Sequence, residues 1–226
     1  MPSKTSARHL LVVAHPDDET LFFGGLIQSL KDWHVVSVTN GNADDLGPLR
    51  QSQFFSACRK LKVKKAQFLN FPDKFENRLD VNALKGVLTS LGNFKKVFTH
   101  SIVGEYGHPH HQDVSYAVHK AFDKISAVFS VAYNTYPEMK LLLTKKQFNL
   151  KGQILRDIYR DETKRFINFL PATSQENFVR LSMAEVEALY LWLSTGKPLS
   201  DKALQKYRWF MPYLELGTSN LKSRPF

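Results

Sequence analysis

Residues 10–25, LLVVAHPDDETLFFGG, restrict the possible folds more than any other stretch of the chain. Leu10 to Val13 are four consecutive apolar residues, the mark of a short buried strand. Ala14 leads directly into His15-Pro16-Asp17-Asp18-Glu19, and the apolar stretch from Thr20 to Leu30 reads as a helix. A histidine and three carboxylates therefore stand where a strand hands over to a helix. A dinucleotide-binding chain would place a glycine-rich turn there. Pro16 fixes its own φ and keeps His15 extended. The first N–H groups of the helix favour carboxylates at its start. Adjacent carboxylates point in different directions, so one can bind a cation while its neighbour faces substrate.

The remaining elements follow in alternation. Strands are predicted at Leu10 to Ala14, His34 to Thr39, Ala66 to Phe71, Lys96 to His100 and Ala127 to Tyr133. Helices are predicted from Asp18 to Leu30, Pro48 to Leu61, Val81 to Leu91 with Asp80 as cap, and Pro109 to Asp123. This is an α/β chain, with a Rossmann-like parallel sheet of order 3-2-1-4-5 and helices on both faces. Ligands bind such sheets at the carboxyl ends of the strands where the order reverses, here between Ala14 and His100. Beyond Pro137 the pattern predicts an α-rich region. Helices are expected at Gln153 to Asn168, from the Ser182–Glu185 capping box to Gly196, and at Asp201 to Phe210, with an irregular end from Met211 to Phe226. No repeat or linker interrupts the chain, so 1–226 reads as one domain, with a motif-bearing core at about 9–135 and a helical region at about 138–226.

Cys58 is the only cysteine, which excludes an intrachain disulfide and a cysteine zinc cluster. MPSKTSARH lacks the apolar stretch of a signal peptide, and no run is long enough to span a membrane. The expectation is a soluble, cytoplasmic protein, and a homo-oligomer is compatible with the sequence. The formal net charge is +10, with the densest cluster from Arg59 to Lys65. That balance suits an anionic substrate or surface, or else a solvated basic face. No nucleic-acid-binding motif accompanies the charge.

After the fourth strand comes Gly104-Glu105-Tyr106-Gly107-His108-Pro109-His110-His111. Pro109 at a first helical position makes His108 the N-cap. His108 and His111, three apart, share one side of the helix start, so one can bind a metal while the other works beside it. His110 is expected to point elsewhere. Two histidines and one carboxylate, with positions left for water, form the hydrolytic zinc set, and non-haem Fe(II) uses the same ligands. Amide hydrolysis also needs a base and a group for the oxyanion, for which Asp17 and His108 are available. Asp73, after the third strand, reads either as a turn aspartate or as a contact to a sugar hydroxyl. Asp44 and Asp45 read as solvated loop residues or pocket residues, His100 as structural or as reaching the site from the end of strand four, and Tyr207 to Tyr213, YRWFMPY, as core, a lid or an acyl-chain contact.

AHPDDE, followed after strand four by YGHPHH, resembles the LmbE/PIG-L family of zinc-dependent de-N-acetylases. Gly24-Gly25 in the first helix and TNGNADDLG at Thr39 to Gly47, with Arg50 after it, extend the likeness across roughly residues 9 to 135. The resemblance implies His15, Asp18 and His111 as zinc ligands and Asp17 as general base. It implies His108 as oxyanion stabiliser or acid to the leaving amine, Tyr106 polarising the acetyl carbonyl, and Arg50 contacting substrate. The expected reaction removes the acetyl group from an N-acetylated amino sugar of the N-acetylglucosamine type, or its conjugate. A metal-dependent phosphoesterase and a non-catalytic basic module are the alternatives. Three features depart from the family pattern. His110 stands where the motif often carries an acid, Gln53 stands where a glutamate is expected, and no apolar anchor segment precedes the motifs.

Overall fold

In the computed structural model, residues 7–74, 77–168, 170–196 and 205–208 are described. Among these residues seven strands form one sheet: β1 (His9–Val13), β2 (Trp33–Thr39), β3 (Lys65–Phe71), β4 (Lys96–Thr99), β5 (Ala127–Val131), β6 (Met139–Leu142) and β7 (Gln175–Val179). Their order is β3-β2-β1-β4-β5-β7-β6. The first five are parallel, and β7 runs antiparallel to both β5 and β6. The expected 3-2-1-4-5 order stands, extended by two strands inside the region expected to be α-rich. Those strands are short, and β6 alternates half-buried with exposed residues, so neither carries the long β-branched run that marks β2.

Helices cover both faces. One face carries α1 (Asp18–Leu21), α2 (Gly24–Ser29), α3 (Gly47–Lys60), α6 (Lys145–Asp157) and α7 (Arg160–Phe166). The other carries α4 (Val81–Ser90) and α5 (Pro109–Phe122), while α8 (Met183–Thr195) packs on α5. Period-two alternation in β1 serves both layers. Leu11 and Val13 enter the first core, and Leu10, Val12 and Ala14 the second. The predicted Asp80 cap and the Ser182–Glu185 capping box are both present, and Gly196 closes α8 in the left-handed conformation.

Two predicted helices are divided. The helix expected from Asp18 to Leu30 breaks at Phe22–Phe23, where the Phe23 ring stacks on Phe178 of β7 at 5.6 Å. The break leaves the Gly25 and Leu26 N–H groups free to donate to the Glu176 carboxylate of β7, each at 2.8 Å. Gly25 also lies so close to the connection between β6 and α6 that a Cβ there would sit 2.5 Å from Leu143 Cγ. The helix expected at Gln153 to Asn168 instead starts earlier, at a Thr144–Gln147 capping box, and is split into α6 and α7 at the buried Tyr159. The helix expected at 201–210 lies outside the described residues except for 205–208, which form a turn; Tyr207 there is core. The YRWFMPY stretch from 209 on, and with it the end from Met211, lies outside them. Among the described residues no helix is long and apolar enough to cross a membrane.

Candidate active site

The site lies beyond the carboxyl ends of β1 and β4. Here α1 begins on Asp17, whose backbone stands at φ 106°, a conformation that L residues rarely adopt. The Asp17 N–H donates to Glu19 Oε2 at 3.0 Å. Glu19 is fully buried and also accepts from Thr20 Oγ1 at 2.6 Å and the Tyr159 hydroxyl at 2.9 Å. Burial pushes its carboxyl up to about 7 against those hydrogen bonds. From α3, Arg50 donates to the Pro16 carbonyl at 2.9 Å and to Asp17 Oδ2 at 3.3 Å. It also faces Glu162 and Asp73, at 3.7 and 3.8 Å. The turn is thus clamped from behind, and Arg50 sits among the protein's own carboxylates. Burial raises the Asp17 carboxyl well above the usual range, against the attraction of Arg50.

Three donor atoms converge beside Asp17. His15 Nδ1 lies 3.2 Å from His111 Nε2 and 3.4 Å from Asp18 Oδ2, and His111 Nε2 lies 3.6 Å from the same oxygen. A tetrahedral ion at about 2.0–2.1 Å from each ligand requires ligand atoms about 3.3–3.4 Å apart. The protonation pattern agrees. His111 Nδ1–H donates to Glu105 Oε2 at 2.6 Å, so its Nε2 presents a lone pair. His15 Nδ1 and the Asp18 oxygen face that lone pair, a donor set that fits a divalent metal. The electrostatics point the same way. Burial disfavours charge on His15, but Asp73 and Asp18 outweigh it and raise its pKa to about 10. Burial likewise opposes ionisation of Asp18, but His111 and His100 hold its carboxyl well below the usual range. Two overlapping sets, His15–His108–His111 and Asp18–His100–His111, lie close enough to offer alternative ligands, as does His15–Asp73–His110.

The sequence-predicted residues come together here. His15, Asp17, Asp18, Arg50, Asp73 and His111 are buried around one point, and Tyr106 stands at the rim, 39% exposed, edge-on to His108 and His111. His108 caps α5, its Nδ1 accepting the His110 N–H at 3.2 Å, which leaves Nε2 as the protonated nitrogen. Its ring stacks on His111 at 4.6 Å. Burial and the neighbouring imidazoles keep His108 neutral by holding its pKa well below the ordinary value.

One expectation needs correction, one of two readings is decided, and one residue was missed. His110 does not point elsewhere: it is fully buried, with Nδ1 3.2 Å from His15 Nε2 and 3.3 Å from Asp73 Oδ1. The segment after β3, which carries Asp73 and the carbonyls that bind His110, folds over the start of α5 and turns the ring inward. His100 does more than hold the sheet. Its Nε2 accepts the Ala14 N–H at 2.9 Å and lies 3.3 Å from Asp18 Oδ2, and its ring stacks on His111 at 3.9 Å. Glu105 was missed altogether. Fully buried, it orients His111, receives the Ser101 N–H at 2.7 Å, and is held down at about 2, the nearby His100 and His111 outweighing its burial. A carboxylate six residues before a candidate ligand histidine is the signal that could have found it. Asp44, read as solvated, pairs with Arg165 of α7 at the surface.

Comparison with known proteins decides the family. Residues 10–122, half of the chain, match the family described as PIG-L, GlcNAc-PI de-N-acetylase. The chain belongs to that family. It is 31% identical over 115 residues to a probable N-acetylglucosaminyl-phosphatidylinositol de-N-acetylase of Schizosaccharomyces pombe, covering 45% of this chain and 46% of that one. It is 24% identical over 208 residues to the N-acetylglucosaminyl-phosphatidylinositol de-N-acetylase of Saccharomyces cerevisiae, covering 80% and 68%. The chain spans about half the length of several curated relatives it matches. Among solved structures, N,N'-diacetylchitobiose deacetylase from Pyrococcus horikoshii superposes with a TM-score of 0.58 at 19% identity, covering 87% of this chain and 89% of that one. That likeness establishes the shared fold.

Proposed function

We propose that this chain is a zinc-dependent hydrolase that removes the acetyl group from an N-acetylglucosamine-type amino sugar carried on an anionic conjugate. The observation that carries the reading is the convergence of His15 Nδ1, His111 Nε2 and Asp18 Oδ2 at 3.2–3.6 Å, with Asp17 on the adjoining position of the same turn. Two imidazoles and one carboxylate suit zinc. The names of the curated relatives support the amino sugar, and the net charge of +10 supports an anionic conjugate.

A divalent cation held by His15, Asp18 and His111 supplies Lewis acidity, lowering the pKa of a water and polarising the acetyl carbonyl. The chain's own residues do the rest. Asp17 takes a proton from the attacking water as its oxygen adds to the carbonyl carbon. His108 presents its Nε2–H to the oxygen on which negative charge develops. When the C–N bond breaks, the proton held by Asp17 passes to the departing nitrogen, giving the free amine and acetic acid, which ionises to acetate. Arg50, bound to Asp17 and to the Pro16 carbonyl, keeps the base aligned. Tyr106, at the rim, is assigned to polarising the acetyl carbonyl, and Asp73, beside His15 and Arg50, to a sugar hydroxyl.

The test is acetate release from a panel of N-acetylglucosamine conjugates, neutral and phosphorylated, run beside phosphatase substrates on the same metal-analysed preparation. Acetate release, preferring anionic conjugates at low salt, is expected. Phosphate release without acetate overturns the reaction class. One equivalent of iron in place of zinc overturns the metal assignment alone.

A further inference from the structure

His110 occupies the motif position between His108 and His111. Its ring is fully buried, and its Nε2 lies 3.1 Å from the Lys74 carbonyl and 2.9 Å from the Asn77 carbonyl. Carbonyl oxygens only accept, so Nε2 carries a proton. On the other side of the ring, Nδ1 lies 3.2 Å from His15 Nε2. A metal bound at His15 Nδ1 requires the proton of that imidazole to sit on Nε2, where the nearest acceptors are His110 Nδ1 and, at 3.5 Å, Asp73 Oδ1.

We propose that His110 is a positioning residue for the metal ligand His15. Anchored by two backbone carbonyls, it accepts the His15 Nε2–H, fixes that imidazole in the tautomer with Nδ1 free, and ties the Asp73 segment to the metal centre. The inference rests on the zinc reading above and extends it. His111 has a carboxylate partner in Glu105. His15 has instead an imidazole that reaches it from the start of α5 and is itself held by the segment after β3. Ligand histidines are oriented by such partners, whose loss typically costs 10–100-fold in metal affinity. Asp73 Oδ1, 3.5 Å from the same His15 Nε2, is the second acceptor for that proton.

The experiment compares zinc affinity, by competition with a chromophoric chelator, across wild type, His110→Leu and His110→Asn. Asparagine can offer an oxygen near the Nδ1 position; leucine fills space and accepts nothing. The expected result is an affinity about 10–100-fold weaker for His110→Leu, largely recovered in His110→Asn. Long-range ¹H–¹⁵N spectra of zinc-loaded wild type provide a readout that needs no variant: His15 should be ligated through Nδ1 and protonated at Nε2. Wild-type affinity in His110→Leu, equal weakening in both variants, or a His15 ligated through Nε2 overturns the proposal. Wild-type protein that binds no zinc at all overturns the metal reading itself.

Discussion

Asp17 and Asp18 are neighbours in sequence with opposite electrostatic surroundings, in keeping with the different roles proposed for them. Asp18 lies against His15, His100 and His111, which favour its ionised form. Asp17 points to the Arg50 side, where burial raises its affinity for a proton. Asparagine is nearly isosteric with aspartate but cannot take a proton. Asp17→Asn should therefore fold and bind zinc, yet lose on the order of 10²–10⁴ in turnover, the range for a general base. Asp18→Asn should weaken zinc binding in an equilibrium titration. Near-native turnover of Asp17→Asn would place the base elsewhere, and loss of metal from that variant would exchange the two roles. The gathering of His15, Asp17, Asp18, His108 and His111 was legible in the sequence, because strand ends and a helix start fix where such residues meet. The inward turn of His110 was not: the carbonyls that bind its Nε2 lie 36 and 33 residues away, in a segment without periodic signal.

At the scale of elements, the five parallel strands were legible because β-branched and apolar runs alternate with helical spacing. β6 and β7 were not, since each is short and part-exposed, and their pairing depends on the tertiary environment. The broken first helix is a consequence of that unseen hairpin. Glu176 of β7 fills the break, accepting from Gly25 and Leu26 while pairing with Lys151 of α6 at 2.8 Å, with both side chains buried. Lys151→Met leaves the Glu176 charge without its counter-ion. Removing one partner of a buried pair costs about 3–5 kcal/mol, which urea unfolding should register. A midpoint within error of wild type would show that the two N–H donors suffice. Another buried group gives a pH signature. His34 on β2 is held down at about 4 by burial and by Lys65, against the hydrogen bond its Nε2–H donates to Gln67 Oε1. The unfolded imidazole, near 6.5, binds the proton that the folded one refuses. The stability it contributes is therefore present above about 6.5 and lost as pH falls toward 4, by about 1–2 kcal/mol after allowance for solvent screening. His34→Gln should flatten that acid limb in thermal melts; an unchanged limb would assign the loss to other groups.

For the molecule as a whole, the candidate centre acts as a joint. His15 follows β1 in the middle of the sheet, Asp18 opens α1 on one face, and His111 lies in α5 on the other. A cation held by all three ties both helical layers to the central strand, and the unfolded chain offers no such arrangement. Binding to the folded state alone stabilises by RT ln(1 + [L]/Kd), so above saturation each tenfold rise in free zinc adds about 1.4 kcal/mol. In a domain of this size 1 kcal/mol moves the thermal midpoint by about 2–4 °C. The midpoint should therefore climb by about 3–6 °C per decade of buffered free zinc and fall when a chelator strips the metal. The slope should vanish in His111→Ala, which loses a ligand, and persist in Asp17→Asn, which keeps all three. Because the measurement is indifferent to turnover, it separates the metal centre from the chemistry proposed for it. A wild-type midpoint that stays constant across the zinc series would mean that these three residues hold no metal in the folded protein, whatever reaction the chain performs.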